Sequence, residues 1–275
     1  MAPSAAPWRG LFLASFEKSR VSTFNLTTIA HAPSKRPVPR SRTVEFRGFW
    51  PKPASTLHKS GIEALKTQDI GLNPDVYESD LLSVTTDARM GKVGQLADSD
   101  DVVEGVFWFE EVSAQWRVRG RAVTIGAPEE DDEERQVREM VKKGMREKGD
   151  GEGNIKDWDW ERQVATYFAN HSPVMRGKSR CCLARLQANA VCSGTFKNPP
   201  PGRPRSEAPS DPQLKLGQKI EDLKDLIARA NFRVLLILPQ EMEVLDFSNP
   251  DDVRRTRWTL ADRDEGKWKE TELWP

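Results

Sequence analysis

From Gln115 to Ile125 the chain alternates with period two. Arg117, Arg119 and Arg121 fall on one side, and Trp116, Val118, Gly120 and Ala122 on the other. Successive strand side chains point to opposite faces, so this stretch is a β-strand with one wet and one buried face, the pattern of an antiparallel sheet over a core. Further strand-length runs are Phe24–Ala30, Thr43–Trp50, Asp80–Thr86 and Val102–Phe109. Four more close the chain at Phe232–Leu238, Met242–Phe247, Arg257–Leu260 and Lys267–Glu272. Strands this closely spaced, with few helices between them, predict a mainly antiparallel barrel with helical additions. The arginine stripe also suits RNA or a phosphorylated ligand. However, the 42 Lys+Arg residues equal the 42 Asp+Glu residues, so no global field draws nucleic acid, and the stripe reads as a solvated or ion-paired face.

With 275 residues, 37% hydrophobic and 31% charged, the chain has an adequate core and much exposed polar material. It is expected to form one domain over 1–275. Trp8–Lys18 reads as an amphipathic helix with Trp8, Leu11, Phe12 and Phe16 on one side, Pro33–Pro39 as a loop, and Ser55–Pro74 as irregular or partly helical. Glu129–Lys148 starts acidic and ends basic, complementing a helix dipole, and is expected to be an exposed helix. Asp159–Phe168 and Gln213–Ala230 are further helix candidates, and about 127–212 is expected to be an exposed charged and loop region. Val234–Leu238 is strand-length, so no membrane span is predicted. With no secretory leader apparent at the N-terminus and three cysteines that make no disulfide framework, a cytoplasmic location is expected. His31, His58 and His171 are scattered and read as surface loop residues, and no metal site is predicted.

All three cysteines lie in Lys178–Gly194, which has no acidic or aromatic residue. Their spacing does not suit zinc. Gly177-Lys178-Ser179 is compatible with a splice donor, and removing the segment joins Gly177 to Thr195 in frame. The expectation is a translated intron forming a surface insertion.

Two blocks carry the chemistry. Arg42-Thr43-Val44-Glu45-Phe46-Arg47 is a strand with arginine at both ends. Thr85-Thr86-Asp87-Ala88-Arg89-Met90-Gly91-Lys92 is a strand end turning into a helix, with Thr86 or Asp87 as N-cap and Met90, Val93 and Ala97 on the buried face. Cations do not stabilise a helix start, so Arg89 and Lys92 there suit a bound anion, and with Arg42 and Arg47 they suit a phosphate. Arg42 and Arg47 are an odd number apart, so a regular strand points them to opposite faces.

In order along the chain, these motifs resemble the pyridoxamine 5'-phosphate oxidase-like family of FMN-binding split barrels. Arg42–Arg47 is similar to the family's Arg-x-Val-x-x-basic strand, and Thr85–Lys92 to its phosphate-binding turn. Gln115-Trp116-Arg117-Val118-Arg119-Gly120 is similar to the strand whose glutamine reaches the flavin. Val244-Leu245-Asp246-Phe247, Arg257-Trp258 and the Leu273-Trp274-Pro275 end resemble the last flavin contacts and the terminus. The resemblance implies an α+β, mainly β fold: an antiparallel six-stranded split β-barrel with peripheral helices. It also implies a homodimer with FMN between subunits. Arg42, Arg89 and Lys92 would hold the FMN phosphate. Thr43, Val44, Glu45, Thr85 and Thr86 would contact the flavin and ribityl chain, Arg47 would lie near the reactive edge, and Gln115, Phe247 and Arg257 would complete the site. The family's Arg-x-His substrate pair is replaced by Val253-Arg254-Arg255, and its tyrosine-arginine-serine set for the substrate phosphate is not recognisable. The resemblance therefore implies an FMN-dependent oxidoreductase acting on an unidentified small molecule, with a flavin-binding protein without turnover as the alternative. Independently of it, Val106–Phe109 and Trp116 place more aromatic surface on two strands than one small barrel is expected to hold, which predicts an interface.

Overall fold

The computed structural model describes residues 4–31, 36–127, 131–177, 219–262 and 266–275, with 196, 201, 202, 204 and 206. The expected insertion at 178–194 and the loop at 199–212 lie wholly or largely outside them.

The helices are α1 (Arg9–Lys18), α2 (Lys59–Thr67), α3 (Gly91–Ala97), α4 (Asp132–Lys143), α5 (Trp160–Ala169), α6 (Pro173–Gly177) and α7 (Leu226–Asn231). The strands are β1 (Thr23–His31), β2 (Pro37–Glu45), β3 (Asp75–Ser79), β4 (Leu82–Asp87), β5 (Val102–Phe109), β6 (Ala114–Ile125), β7 (Met145–Glu152), β8 (Phe232–Asp246), β9 (Arg254–Asp262) and β10 (Lys267–Leu273). The main sheet runs β10-β9-β8-β6-β5-β1-β2, with β4 also on β8, and β3 pairs β7 separately. Every strand pairing is antiparallel. Beyond β2 the backbone crosses to β4 through Arg47 N–H to Ser83 O (2.8 Å) and Trp50 N–H to Leu81 O (2.9 Å). Only the isolated Phe49–Leu82 bridge marks this seam, so the sheet stays open there. The mainly β, α+β split-barrel expectation holds.

β4, β8 and the end of β6 separate two cores. Leu82, Val84, Leu235 and Ile237 face the barrel core with Phe107, Trp116 and Trp258. Leu81, Val123, Val234 and Leu236 face a second core with Trp50, Tyr167 and Phe168. Burial on both faces explains the uninterrupted apolar run Val234–Leu238. Gly120 lies at a register shift between β6 and β8. A Cβ there would stand 2.1 Å from the Leu238 carbonyl oxygen, so the close approach of the two backbones requires glycine.

Several expectations are corrected. The region after 127 is not an exposed excursion: α5 is buried from Gln163 to Ala169 and forms the heart of the second core. The predicted helix Glu129–Lys148 ends at Lys143, and Met145–Glu152 pairs with β3. Phe232–Phe247 is one long strand rather than two, because Pro239 sits at the β6 register shift and does not end the pairing. Helix over 213–230 is confined to Leu226–Asn231 among the described residues, since Lys219–Asp225 is not helical. The strand predicted from Thr43 starts earlier, at Pro37, and ends at Glu45. Leu11 is exposed, while Trp8 and Phe12 are fully buried. No described helix is long and apolar enough to cross a membrane.

Candidate cofactor site

The structure distributes the predicted site residues over three places. The first is the end of the barrel under α3. Arg42 is in register with Leu26 and so faces inward. Its guanidinium donates to Thr28 Oγ1 (2.7 Å), the Leu26 carbonyl (3.2 Å) and Gln95 Oε1 on α3 (2.8 Å). Thr28, fully buried, donates to the same Gln95 oxygen at 2.6 Å. Lys92 is buried on α3, and its Nζ donates to the weakly accepting Met90 thioether at 2.9 Å. Burial pushes its pKa down to about 8, with the Arg42 guanidinium adding to the effect and Asp87 opposing it. Among the described residues neither Arg42 nor Lys92 has an ion-pair partner. Two neighbouring cations without a carboxylate suit a bound anion, and a phosphate supplies the negative charge that their neutral acceptors do not.

Arg89, expected beside them, is turned elsewhere. It grips the fully buried Asp87 (Nη2 to Oδ2 2.6 Å, Nε to Oδ1 2.9 Å) and donates to the Phe196 carbonyl at 3.3 Å. The predicted helix cap is corrected with it. Position 90 is the N-cap and has no side-chain cap bond, while Asp87 accepts from the Arg89 backbone N–H instead. The buried positions of α3 are Lys92 and Leu96, and Ala97 is exposed.

The second place lies on the other side of β4. Thr86 faces Met90, whereas Ser83 and Thr85 face α5 and its C-terminal turn. Tyr167 donates to Ser83 Oγ at 2.9 Å, and Ser83 Oγ donates to the Gly48 carbonyl at 2.6 Å. His171 Nε2 lies 3.0 Å from Thr85 Oγ1. Arg47 pairs with Glu45 at 2.9 Å, and its Nε is buried without a partner. Burial, then the Arg47 and Arg176 charges, hold the His171 pKa well below its ordinary value, so the ring is neutral. His171 is thus buried, not a surface loop residue, and its neighbour Tyr167 shares α5 with the second core. The signal for both was the apolar run Val164–Ala169. Thr43 and Glu45 fall on the face of β2 opposite Arg42, with Thr43 bonded to Asn25 at 3.1 Å, and Val44 packs in the barrel core. Arg47 lies beyond the end of β2, so strand parity does not govern it; Arg42 and Arg47 stand in different clusters.

The third place is the outer face of β6, β8 and β9. Gln115 accepts from Arg117 Nε at 2.9 Å. Glu243, 3% exposed, is enclosed by Arg117 (3.5 Å), Arg255 (3.1 Å) and Arg257 (2.9 Å). Hydrogen bonds and charge from Arg255 and Arg257 outweigh burial and hold its carboxyl below the usual range. The arginine stripe is therefore ion-paired in part, with Arg121 on Asp101 at 3.0 Å. Phe247 packs edge-on against Trp108 at 6.2 Å, and both are exposed. The predicted aromatic surplus is corrected: Phe107, Phe109 and Trp116 all fit inside the barrel, and on these strands only Trp108 is left outside. No group of three or more potential metal ligands occurs among the described residues.

Residues 5–126 match the sequence model of the pyridoxamine 5'-phosphate oxidase FMN-binding domain. A search of curated proteins gave no match. Among solved structures, the chain is similar to a pyridoxamine 5'-phosphate oxidase-related, FMN binding protein from Nostoc punctiforme. Identity is 18%, the match covers 99% of this chain and 100% of that one, and the TM-score is 0.55. It also matches PhzG from Burkholderia lata in complex with tetrahydrophenazine-1-carboxylic acid, at 16% identity over 97% of this chain and 89% of that one. The TM-score there is 0.40. Residues 5–126 are thus similar in sequence to the pyridoxamine 5'-phosphate oxidase FMN-binding domain, and along nearly its full length the chain shares the split-barrel fold of the Nostoc punctiforme protein.

Proposed function

We propose that the protein binds FMN and is an oxidoreductase related to pyridoxamine 5'-phosphate oxidase, acting on a small-molecule substrate. The observation that carries this reading is the Arg42–Lys92 pair, two neighbouring cations with no carboxylate between them. The donor set fits a phosphate. Arg42 and Lys92 would hold it, with Thr28 and Gln95 fixing the guanidinium. Bound flavin supplies two-electron chemistry at its ring, while this chain positions and electrostatically tunes it. Arg47, paired with Glu45 and with its Nε–H unsatisfied, would be the residue that tunes the ring electrostatically. FMN titration against riboflavin, together with flavin content of the purified protein, tests the reading; equal affinity for both ligands overturns it.

A second reading, flavin binding without turnover, has a specific observation behind it. Tyr167 donates to Ser83 and Ser83 donates to the Gly48 carbonyl, so neither of these hydroxyls is free to donate to a substrate phosphate. Bleaching of bound flavin by pyridoxine or pyridoxamine phosphate under anaerobic conditions separates the two readings.

We further propose a cytoplasmic homodimer formed through the outer face of β6, β8 and β9. Gln115, Arg257 and Phe247 would there meet the partner's flavin, and the exposed Trp108–Phe247 pair offers an apolar anchor. Sedimentation as a monomer that binds FMN at full stoichiometry overturns this arrangement.

A further inference from the structure

Five aromatic side chains run in unbroken contact from the Arg47 cluster to the small β3–β7 sheet. Tyr167 stacks on Trp50 with ring centroids 5.5 Å apart, and Trp50 stacks on Trp160 at 5.8 Å. Trp160 meets Trp158 edge-on at 4.9 Å, and Trp158 meets Tyr77 edge-on at 5.5 Å. All four separations lie in the range of direct ring contact. Tyr167 and Trp50 are buried, whereas Trp160, Trp158 and Tyr77 are partly exposed. The chain has only two tyrosines, and one stands at each end of this series.

The two ends differ in what can happen to a proton. Indole and phenol are the side chains most easily oxidised by one electron, and a phenol is the more stable resting place once its proton has left. At the inner end Tyr167 donates to Ser83, which already donates to the Gly48 carbonyl, so no base takes the phenolic proton. Burial holds that phenol well above its ordinary pKa. The Trp50 indole N–H has no acceptor either. An oxidising equivalent on these inner rings is therefore not fixed there by proton loss. Arg138 lies over Trp160 at 5.7 Å, but Glu134 and Glu161 balance its charge. Tyr77, on a two-stranded sheet and partly exposed, can release its proton to water.

We propose that Trp50, Trp160, Trp158 and Tyr77 form a hole-transfer path that carries one-electron oxidising equivalents from the Arg47 cluster to the surface. Bound flavin excited by light would be the one-electron oxidant of the path, keeping the electron that it draws from the inner end of the series. Electrons then pass inward from Trp160, Trp158 and Tyr77 in turn, restoring each indole. Tyr77 loses one electron and its O–H proton, the proton going to water, and a solution thiol returns it to phenol by donating a hydrogen atom. The flavin as source rests on the reading above; the path itself does not.

The test is therefore run first without flavin. In a Trp108→Phe, Trp274→Phe background, which removes two exposed indoles, azide radicals from pulse radiolysis oxidise tryptophan and leave azide anion. The expected result is decay of the indolyl absorbance with a matching rise of tyrosyl absorbance, first-order and independent of protein concentration. Tyr77→Phe should abolish the rise, Trp158→Phe should slow it at least tenfold, and Tyr167→Phe should leave it unchanged. A tyrosyl signal that persists in Tyr77→Phe, or a rate that scales with protein concentration, overturns the path. In the second arm, FMN-loaded protein is flashed with blue light, and a tyrosyl signal that depends on Tyr77 is expected. If FMN is bound and the azide arm succeeds while this arm is silent, the flavin as source is overturned. If FMN does not bind, the functional reading fails and the azide arm alone judges the path.

Discussion

Arg42 lies close enough to Lys92 to disfavour its protonation, although the two residues sit on different elements, β2 and α3. Like charges brought together in a folded protein cost stability unless an anion offsets them. The pair therefore reads as one half of a binding interaction.

Arg42→Ala or Lys92→Ala should weaken FMN binding by roughly 10- to 100-fold, the equivalent of about 1.5–3 kcal/mol for a charge-assisted contact. Riboflavin binding should change little. Calorimetric titration of both ligands on each variant checks this, and parallel losses would show that the pair does not contact the phosphate.

The pH dependence follows from the Lys92 pKa of about 8 in the free protein. A bound dianion favours the ammonium, so binding above pH 8 must take up a proton. FMN affinity should be flat from pH 7 to 8 and then fall, by at most tenfold per pH unit. Lys92→Met should remove that fall. For stability the sign is the reverse: the folded pKa lies below the unfolded value near 10.5, so the ligand-free protein gains stability as pH rises from 8 towards 10.5. Thermal melts at fixed ionic strength read the second effect.

Arg89 has a different role from the one its position suggests. Removing it leaves the fully buried Asp87 carboxylate without its ion pair, so Arg89→Met should cost on the order of 3–5 kcal/mol. Asp87→Asn in the same chain should recover part of the loss. Urea unfolding of the two singles and the double closes the cycle, and additive effects would mean the pair is not coupled.

Arg176 lies over the Phe168 ring at 5.7 Å, and Phe196 packs on the same ring at 6.0 Å. The chain thus leaves and re-enters beside one side chain. Deleting Lys178–Gly194 should therefore shift the melting temperature and FMN affinity only slightly, because closure entropy changes slowly with loop length. Phe196, buried against Phe168 and Phe232, must be kept. A marked loss of stability in the deletion variant would show that the segment is structural.

What the sequence made legible was local. The alternation in β6 fixed its two faces because period two leaves no other solution, and Lys92 could be grouped with Arg42 because a cation at a helix start has no intrinsic purpose there. What it hid was long-range. Nothing near Arg89 announces that Asp87 is fully buried, since that follows from β4 pairing with β8 some 150 residues later. His171 reads as a loop residue because only the tertiary fold brings it to Thr85. The acidic start of α4 suggested a solvated helix, yet Glu134 is buried, accepting from the backbone of Gly126 and Ala127 and from Arg138.

The sharing of β8 between two cores has a consequence for how the molecule opens. The sequence match to the FMN-binding domain stops at residue 126, but β4 and β6 within it both pair with a strand supplied from 232–246. Neither layer can come apart without stripping the wall of the other. The amides of β8 should accordingly be among the last to exchange with solvent, and the chain should lose both layers in one step rather than shed a peripheral half.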